Sequence, residues 1–374
     1  MNQSPPFNPR QLDVTASLNR VRVVDLPGVS IQEEAIRGNL AFDLLSTNAL
    51  AALVREHAQS LGLAGENLTD PRQLPLLLDG CFESRIPAIR EAAENIARLY
   101  GQRTGYLLLT LKRGDEVNRK ARPEWNDTYW QHWAAIRHVW LGGGLVSGHL
   151  GPHAAGYANE VIADAGVHDC DVRVAAHPAE LPLIGAARNA PTGTATMLVF
   201  DFGSSNTKSA CAFYQHDTLT LLQVLAKQKG EWISAVEGLE SQAVARNLAE
   251  YMVSAMVATW LDLKQTHNDL APTVVATVAS YMKNGQPDPL QAGAYGELRH
   301  IAPDVAGWFT GEVSRRLGQP ISVELLHDGT AAANAYAGQN AEHTAVITLG
   351  TAIGVGFPPA EDDLRPMATR LTVK

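Results

Sequence analysis

Asp201 ends an apolar, β-branched run and is followed by small and hydroxyl-bearing residues. This pattern predicts a β-hairpin whose turn binds phosphate, because glycine lets backbone N–H groups approach an anion and hydroxyls donate further hydrogen bonds. Asp201 would hold Mg²⁺ through its water shell, and a lysine in the second strand would add a positive charge. An ordinary tight hairpin, with aspartate and serine as turn formers, explains the same residues. The predicted phosphate contacts are Gly203, Ser204, Ser205, Asn206, Thr207 and Lys208.

A second aspartate, Asp328, follows a predicted strand and opens an alanine-rich segment that predicts a helix. A carboxylate there could accept the proton of a substrate hydroxyl that attacks a γ-phosphoryl group, and could share the Mg²⁺ through water. Thr330 and the local amides would face the phosphates, because helix N-termini attract anions. The alternative is that Asp328 is only the N-cap of the helix, a position that favours aspartate.

Two further glycine-rich turns follow predicted strands. Short glycine motifs match by accident so often that each turn alone is weak evidence for a nucleotide site. Four chemically suggestive turns that all follow strands are much harder to explain by accident. In these two turns the predicted nucleotide contacts are Gly350, Thr351 and Gly354, and Gly142, Gly143, Gly144 and Ser147.

The composition indicates a chain large enough for two domains and argues against two classes of partner. Of 374 residues, 45% are hydrophobic and 18% are charged, which excludes a disordered or fibrous protein. The net charge of −9 argues against binding to a nucleic-acid backbone or an anionic membrane. Three widely spaced cysteines indicate neither a disulfide framework nor a zinc site, and no run is long enough to span a bilayer. We therefore expect a cytoplasmic protein that acts on small molecules.

The elements that must position these residues alternate between strands and helices. Runs of β-branched residues predict the strands, and apolar residues at three-and-four spacing predict the helices. This alternation favours the α/β fold class. The predicted strands are 138–141, 172–175, 196–201, 273–278, 321–325 and 344–349, and the predicted helices are 86–100, 130–137, 156–165, 183–188, 235–263, 309–317 and 329–337.

The four turns together resemble those of the actin, hexokinase and heat-shock-chaperone (ASKHA) superfamily. The pattern is most similar to the ROK group of bacterial sugar kinases and repressors and to N-acetylglucosamine kinases. The resemblance implies a two-lobed, ribonuclease-H-like (actin-like ATPase) fold in which two similar lobes clamp ATP. It implies phosphate hairpins at residues 201–208 and 350–354, a catalytic base at Asp328, and an adenosine turn at residues 142–147.

The order of these motifs along the chain differs from that of the family, because the adenosine-type turn precedes the first phosphate hairpin. A circular permutation accounts for this order, and such a change is tolerated where natural termini lie close together at the surface. It predicts a nucleotide-side lobe from residues 1–190 and 341–374, and a lobe with the first phosphate hairpin and the substrate from residues 191–340. The turns at 142–147 and 350–356 should then be adjacent.

The resemblance implies a kinase that transfers the γ-phosphoryl group of MgATP to a hydroxyl of a sugar or sugar derivative. Lys283 and Asn284 follow a predicted strand where the substrate is expected, although a plain polar loop, the simpler interpretation, also explains them. The family's Glu-x-Gly-His and Cys-x-Cys-Gly motifs are missing, and His327 stands where many relatives have asparagine. The alternative is a nucleotide-binding actin-like ATPase or regulator without an acceptor. The sequence leaves open whether the protein is a homodimer.

Overall fold

A computed structural model describes residues 6–229, 238–361 and 363–374, and in it the chain divides into two compact units. Unit 1 contains Thr15–Ala179, Asn340–Phe357 and the described part of Met1–Phe7. Unit 2 contains Asn8–Val14, Glu180–Gln339 and Pro358–Lys374. Each unit has a mixed sheet with both parallel and antiparallel strand pairs, covered by helices. The α/β class is therefore confirmed.

Unit 1 contains a four-stranded sheet, a two-stranded sheet and a group of helices. The strands of unit 1 are β1 (Arg22–Val23), β2 (Asn39–Leu40), β3 (His138–Gly142), β4 (Asp171–Val174), β13 (Thr344–Leu349) and β14 (Ile353–Gly356). The four-stranded sheet has the order β14-β13-β3-β4, in which only the β13–β14 pair is antiparallel. The helices are α1 (Ala41–Leu45), α2 (Thr47–Glu56), α3 (Leu74–Phe82), α4 (Pro87–Arg113), α5 (Glu116–Lys120), α6 (Asp127–Ala135) and α7 (Leu150–Asp164).

Helix α4 supports the sheet of unit 1 through its contact with α7. Two glycines on α4 make this contact close: a Cβ at Gly101 would lie 2.6 Å from the carbonyl oxygen of Ala154, and one at Gly105 would lie 2.8 Å from Cβ of Val161. The helix ends at Gly114, whose φ of 53° is the left-handed conformation that terminates many helices. Since α7 connects β3 to β4, this packing fixes the strand that leads into the 142–147 turn.

Unit 2 is built on a seven-stranded sheet. The strands of this sheet are β5 (Thr196–Phe202), β6 (Asn206–Gln215), β7 (Thr218–Val224), β8 (Gln228–Lys229), β9 (Leu270–Val278), β12 (Ser322–His327) and β15 (Met367–Val373), and a separate hairpin consists of β10 (Met282–Lys283) and β11 (Gln286–Pro287). Six strands of the sheet follow the order β12-β9-β5-β6-β7-β15, and β8 pairs with β6. The helices are α8 (Leu181–Ala187), α9 (Ser241–Thr266), α10 (Val305–Leu317) and α11 (Asp328–Asn334).

The sheets of the two units share one pattern of strand pairing. In unit 2, β5 pairs antiparallel with β6 and parallel with β9, which pairs parallel with β12. In unit 1, β13 pairs antiparallel with β14 and parallel with β3, which pairs parallel with β4. The chain order differs, because the hairpin precedes the parallel strands in unit 2 and follows them in unit 1.

The C-terminal segment differs from the sequence prediction, which placed residues 341–374 in the nucleotide-side lobe. Residues Asn340–Phe357 do belong to unit 1, but Pro358–Lys374 belong to unit 2. The reason is that β15 pairs parallel with β7, and the N–H of Leu219 and the N–H of Val224 donate to the carbonyl groups of Pro366 and Lys374.

Most predicted elements are present with shifted ends. The helix predicted at 235–263 is α9, which begins at Ser241, and residues 235–237 lie outside the described residues. The helix predicted from residue 156 is α7, which begins at Leu150. Among the residues that the structure describes, no helix is both long and apolar enough to cross a lipid bilayer.

Candidate functional site

Asp201 lies near the end of β5, in the middle of the unit 2 sheet, and both neighbouring strands contribute a partner. The strand register places Asp201 opposite Thr277 of β9 and opposite Lys208 of β6. The hydroxyl of Thr277 donates a 2.9 Å hydrogen bond to Oδ1 of Asp201, and Nζ of Lys208 lies 3.4 Å from Oδ2. The carboxylate is only 5% exposed, so these two contacts set its direction.

The two faces of the sheet have different characters at this point. Phe200 and Phe202 lie in the apolar cluster that β5 and β9 form with α9 and α10. Side chains alternate along a strand, so Asp201 points to the opposite face. Thr277 and Lys208 contact Asp201 and therefore share that face. The sheet thus presents a carboxylate, a hydroxyl and an ammonium group together on the face opposite the apolar cluster.

Asp328 is the first residue of α11 and directly follows β12, which lies next to β9 in the sheet. The N-cap alternative for Asp328 is wrong, because the cap is His327, whose Nδ1 accepts a 3.2 Å hydrogen bond from the N–H of Thr330. Asp328 Oδ1 instead accepts a 2.7 Å hydrogen bond from the N–H of Gly329. A quarter of the Asp328 side chain is exposed, which leaves the carboxyl group accessible.

The electrostatic surroundings of Asp328 favour its protonated form. Burial and the negative charge of Asp201 raise the pKa of Asp328 to about 7. The N–H of Gly329 and the positive charge of Lys208 act in the opposite direction but do not cancel this rise. A carboxyl group whose pKa lies near neutral can exchange a proton with a substrate at physiological pH.

His327 is a buried, neutral side chain beside this carboxyl group. Burial lowers the pKa of His327 to about 3, and its ring stacks on Tyr281 with the centroids 4.3 Å apart. Because Nδ1 accepts the N–H of Thr330, the neutral ring carries its proton on Nε2. Nε2 lies 3.2 Å from Oδ1 of Asp328. In the sequence, His327 was noted only because many members of the family that the motifs resemble have asparagine there.

Several predicted phosphate contacts occupy the turn between β5 and β6. The N–H of Gly203 closes the turn by donating to the carbonyl of Asn206 at 3.1 Å, so this donor is already used. Ser204 and Ser205 form the tip and are partly exposed, and Asn206 is exposed. Thr207 is buried, and its hydroxyl oxygen accepts a 2.8 Å hydrogen bond from Tyr251.

Thr330, a predicted phosphate contact, is buried at the start of α11. Its side chain is 3% exposed, and its N–H is bonded to His327. The α11 helix is also only seven residues long. The burial follows from the alanine-rich sequence, which packs α11 closely against α8: a Cβ at Gly185 would overlap the carbonyl of Ala331.

The two glycine turns of unit 1 are adjacent, as the sequence predicts for residues 142–147 and 350–356. Gly142 is in register with Thr348, and Gly354 pairs with the same residue from β14. Gly143 has a φ of 92°, and a Cβ there would overlap the carbonyl of Leu349. The hydroxyl of Ser147 donates to the carbonyl of Gly144 at 2.8 Å.

The partly covered turn at Gly350 and Thr351 also contacts a helix of unit 1. The carbonyl of Gly350 accepts a 2.8 Å hydrogen bond from the N–H of Thr47, the first residue of α2. Thr351 is exposed beside it. This bond satisfies one of the unpaired N–H groups at the start of α2 and anchors the turn.

Lys283 and Asn284 lie in the hairpin of β10 and β11. Asn284 and Gly285 have φ values of 52° and 71°, which a two-residue hairpin turn requires and which Asn-Gly adopts readily. The hairpin turn is therefore a structural reason for an asparagine at 284 followed by a glycine at 285. Asn284 also lines a groove of about 470 Å³ beside His327, whereas Lys283 is exposed.

The residues present can be tested for their fit to Mg²⁺. Across residues 6–229, 238–361 and 363–374, no group of three or more His, Cys, Asp or Glu side chains is arranged to hold a metal ion. Mg²⁺ in nucleotide sites commonly uses one or two carboxylates and takes its other ligands from water and phosphate. The charges of Asp201 and Asp328 are close enough to raise the pKa of Asp328, so a cation bound with a phosphate would relieve this repulsion. The donor chemistry of the two carboxylates is therefore compatible with the ion.

Comparison of the sequence with protein-family models and with curated proteins gives no match in either case.

Proposed function

We propose that the protein is an ATP-dependent kinase that transfers the γ-phosphoryl group of MgATP to a hydroxyl of a small polar acceptor, a sugar or sugar derivative. One observation carries this proposal: Asp328 is a partly exposed carboxyl group with a pKa near 7, directly after a strand of the sheet that carries a second, buried carboxylate, Asp201. This arrangement suits a general base beside a metal-binding carboxylate.

The strand pattern supports the two-lobed, ribonuclease-H-like fold that the motifs resemble. Two units with the same arrangement of a hairpin and two parallel strands are what two similar lobes require. The reversed chain order in unit 1 is what a circular permutation would produce, if the family's usual end were joined to its usual beginning between the units. The joining segment would lie near residues 189–196.

The chemistry proposed for Asp328 is a proton transfer coupled to phosphoryl transfer. The acceptor oxygen forms a bond to the γ-phosphorus, and the bond from that phosphorus to the oxygen it shares with the β-phosphorus breaks. The hydroxyl proton moves to the Asp328 carboxylate. Lys208, whose Nζ lies 3.4 Å from Asp201, supplies a positive charge for the phosphates. When bound, Mg²⁺ would neutralise charge on the β- and γ-phosphates.

The remaining contacts follow from the resemblance and stay predictions. Gly142–Ser147 would contact adenosine, and the 350–354 turn would contact phosphate. The groove of about 470 Å³ beside His327 has the size of a small-molecule site and supports an acceptor of modest size. Asn284 lines this groove, whereas Lys283 has only its place in the same hairpin to support a role.

A screen of ATP consumption across sugars, amino sugars and polyols tests the proposal. We expect ADP to form only with an acceptor present, and Asp328→Asn to serve as the blank. Asp262→Asn, which removes an exposed carboxylate on α9, is the matched control and should keep full activity. ADP formation that needs no acceptor would favour the alternative, an actin-like ATPase or regulator, over a kinase.

A further inference from the structure

The carbonyl group of Gly203, in the proposed phosphate turn, is held by a side chain from a distant part of unit 2. The hydroxyl of Tyr295 donates a 3.1 Å hydrogen bond to it. Tyr295 lies in the short 3₁₀ helix Ala294–His300 and is only 3% exposed. Burial raises the pKa of this phenol well above its ordinary value, so the hydroxyl keeps its proton and acts as a donor.

This bond determines the direction of the next N–H group. In a planar trans peptide the C=O of one residue and the N–H of the next point in opposite directions, and the peptide bonds described here are all trans. The N–H of Ser204 must therefore point away from Tyr295. Among the described residues, none accepts a hydrogen bond from this N–H, whereas the N–H of Gly203 is bonded within the turn.

The side of the sheet to which Ser204 directs its N–H follows from the packing. Tyr295 belongs to the same apolar cluster as Phe200 and Phe202. Asp201 alternates with these two residues and points to the opposite face. A Ser204 N–H that points away from Tyr295 is thus directed to the face that carries Asp201 and Lys208.

We propose that Tyr295 is a positioning residue for phosphate binding: by holding the Gly203 carbonyl on the apolar side, it aims the Ser204 N–H at a phosphate oxygen of the nucleotide. This role rests on the proposed function, because it presupposes that the turn binds ATP. Tyr295 itself does not touch the nucleotide. Loss of the Tyr295 hydroxyl should affect binding of the polyphosphate part of the nucleotide, since the base and the ribose lack the anionic oxygens that the Ser204 N–H would bind.

Tyr295→Phe tests this role by removing one hydroxyl and leaving the ring in place. Tyr214→Phe is the matched control, because Tyr214 is also buried in unit 2 and donates to a backbone carbonyl, that of Ala187, at 2.6 Å. Isothermal titration should give a Kd for MgATP and MgADP that is about tenfold higher in Tyr295→Phe, with the Kd for adenosine, which carries no phosphate, unchanged. Tyr214→Phe should keep the wild-type Kd for all three ligands.

A second pair of variants tests the N–H group directly. Ser204→Pro removes this N–H, and Ser204→Ala keeps it while removing the hydroxyl. We expect the proline variant to lose MgATP affinity as Tyr295→Phe does, and the alanine variant to lose less.

Tyr295→Phe with wild-type affinity for MgATP, or with equal losses for MgATP and adenosine, would overturn the positioning role alone. A wild-type protein that binds no MgATP would overturn the proposed function, and the positioning role with it.

Discussion

Thr277 donates a 2.9 Å hydrogen bond from its hydroxyl to Oδ1 of Asp201, and the two residues are directly opposite each other on parallel strands. Thr277 is fully buried, so the bond is shielded from water. It uses one oxygen of the carboxylate, while Lys208 lies near the other. The direction of Asp201 is therefore fixed before any ligand binds, which would lower the entropy cost of holding the proposed Mg²⁺ and phosphate.

Thr277→Val should weaken this site while preserving the shape of the side chain. A hydrogen bond to a charged group is worth about 2 kcal/mol, so the free energy of unfolding should fall by about that amount. The affinity for MgATP should fall as well, because Asp201 would lose its fixed direction. Urea denaturation and isothermal titration measure the two effects. Thr273→Val, at a partly exposed position of the same strand, should change neither.

Gly143→Ala should destabilise the protein strongly, and Gly144→Ala should not. Gly143 has a φ of 92°, and an added Cβ would overlap the carbonyl of Leu349, whereas a Cβ at Gly144 meets nothing within 4 Å. Strained backbone at a non-glycine residue costs on the order of 2 kcal/mol, before the overlap is counted. Chemical denaturation of both variants measures the difference. Equal stability of the two would show that the turns at 142–147 and 350–356 do not contact each other in solution.

The stability of the protein should depend on the ionisation of Asp328. Its pKa is raised from 3.8 to about 7 in the folded protein, so the folded state holds a proton that the unfolded state releases between these values. The stabilisation from this proton is complete below pH 4 and is lost as the pH rises through 7. Between pH 5 and pH 8 the free energy of unfolding of the wild type should fall by on the order of 2 kcal/mol relative to that of Asp328→Asn.

Denaturant unfolding in the absence of Mg²⁺ measures this difference, with Asp262→Asn as a control that should follow the wild type. A gap between the wild type and Asp328→Asn that stays constant from pH 5 to pH 8 would show that Asp328 has an ordinary pKa.

The rate of phosphoryl transfer should fall as the medium becomes more acidic. Asp328 must be ionised to accept the acceptor's proton, and its pKa is about 7. Below that value kcat/KM should decrease about tenfold for each pH unit, because the ionised fraction decreases in that proportion. Initial rates between pH 5.5 and pH 8.5 test this, at roughly constant ionic strength. A flat profile over this range would exclude Asp328 as the base.

The residues at strand ends could be predicted from the sequence because the signal is local. Asp201 follows a β-branched run, and Asp328 lies between a strand and an alanine-rich segment. Because β5, β9 and β12 are parallel, their carboxyl ends lie at the same edge of the sheet, and both residues are found at that edge. The start of α7 was less predictable. Pro152 would break the interior of a helix, but it lies in the first turn of α7, where a backbone N–H has no partner within the helix.

The supporting residues could not be predicted, because their contacts join distant parts of the chain. Tyr295 reaches Gly203 across 92 positions, and Thr277 reaches Asp201 across 76. The pairing of β15 with β7 is also long-range, and it moved the C-terminal segment to unit 2. Only His327 had a signal in the sequence, as a histidine directly before the proposed base, and its role as N-cap required the geometry of Thr330.

We propose that Asp328 takes the proton of an acceptor hydroxyl during phosphoryl transfer from MgATP. This role is tested by following the label of γ-labelled ATP into the acceptor that the screen identifies, with wild type, Asp328→Asn and Asp262→Asn at equal nucleotide saturation. We predict labelled acceptor with the wild type and Asp262→Asn, and a rate lower by several orders of magnitude with Asp328→Asn although it binds MgATP normally. Near-normal transfer by Asp328→Asn would contradict this role of Asp328.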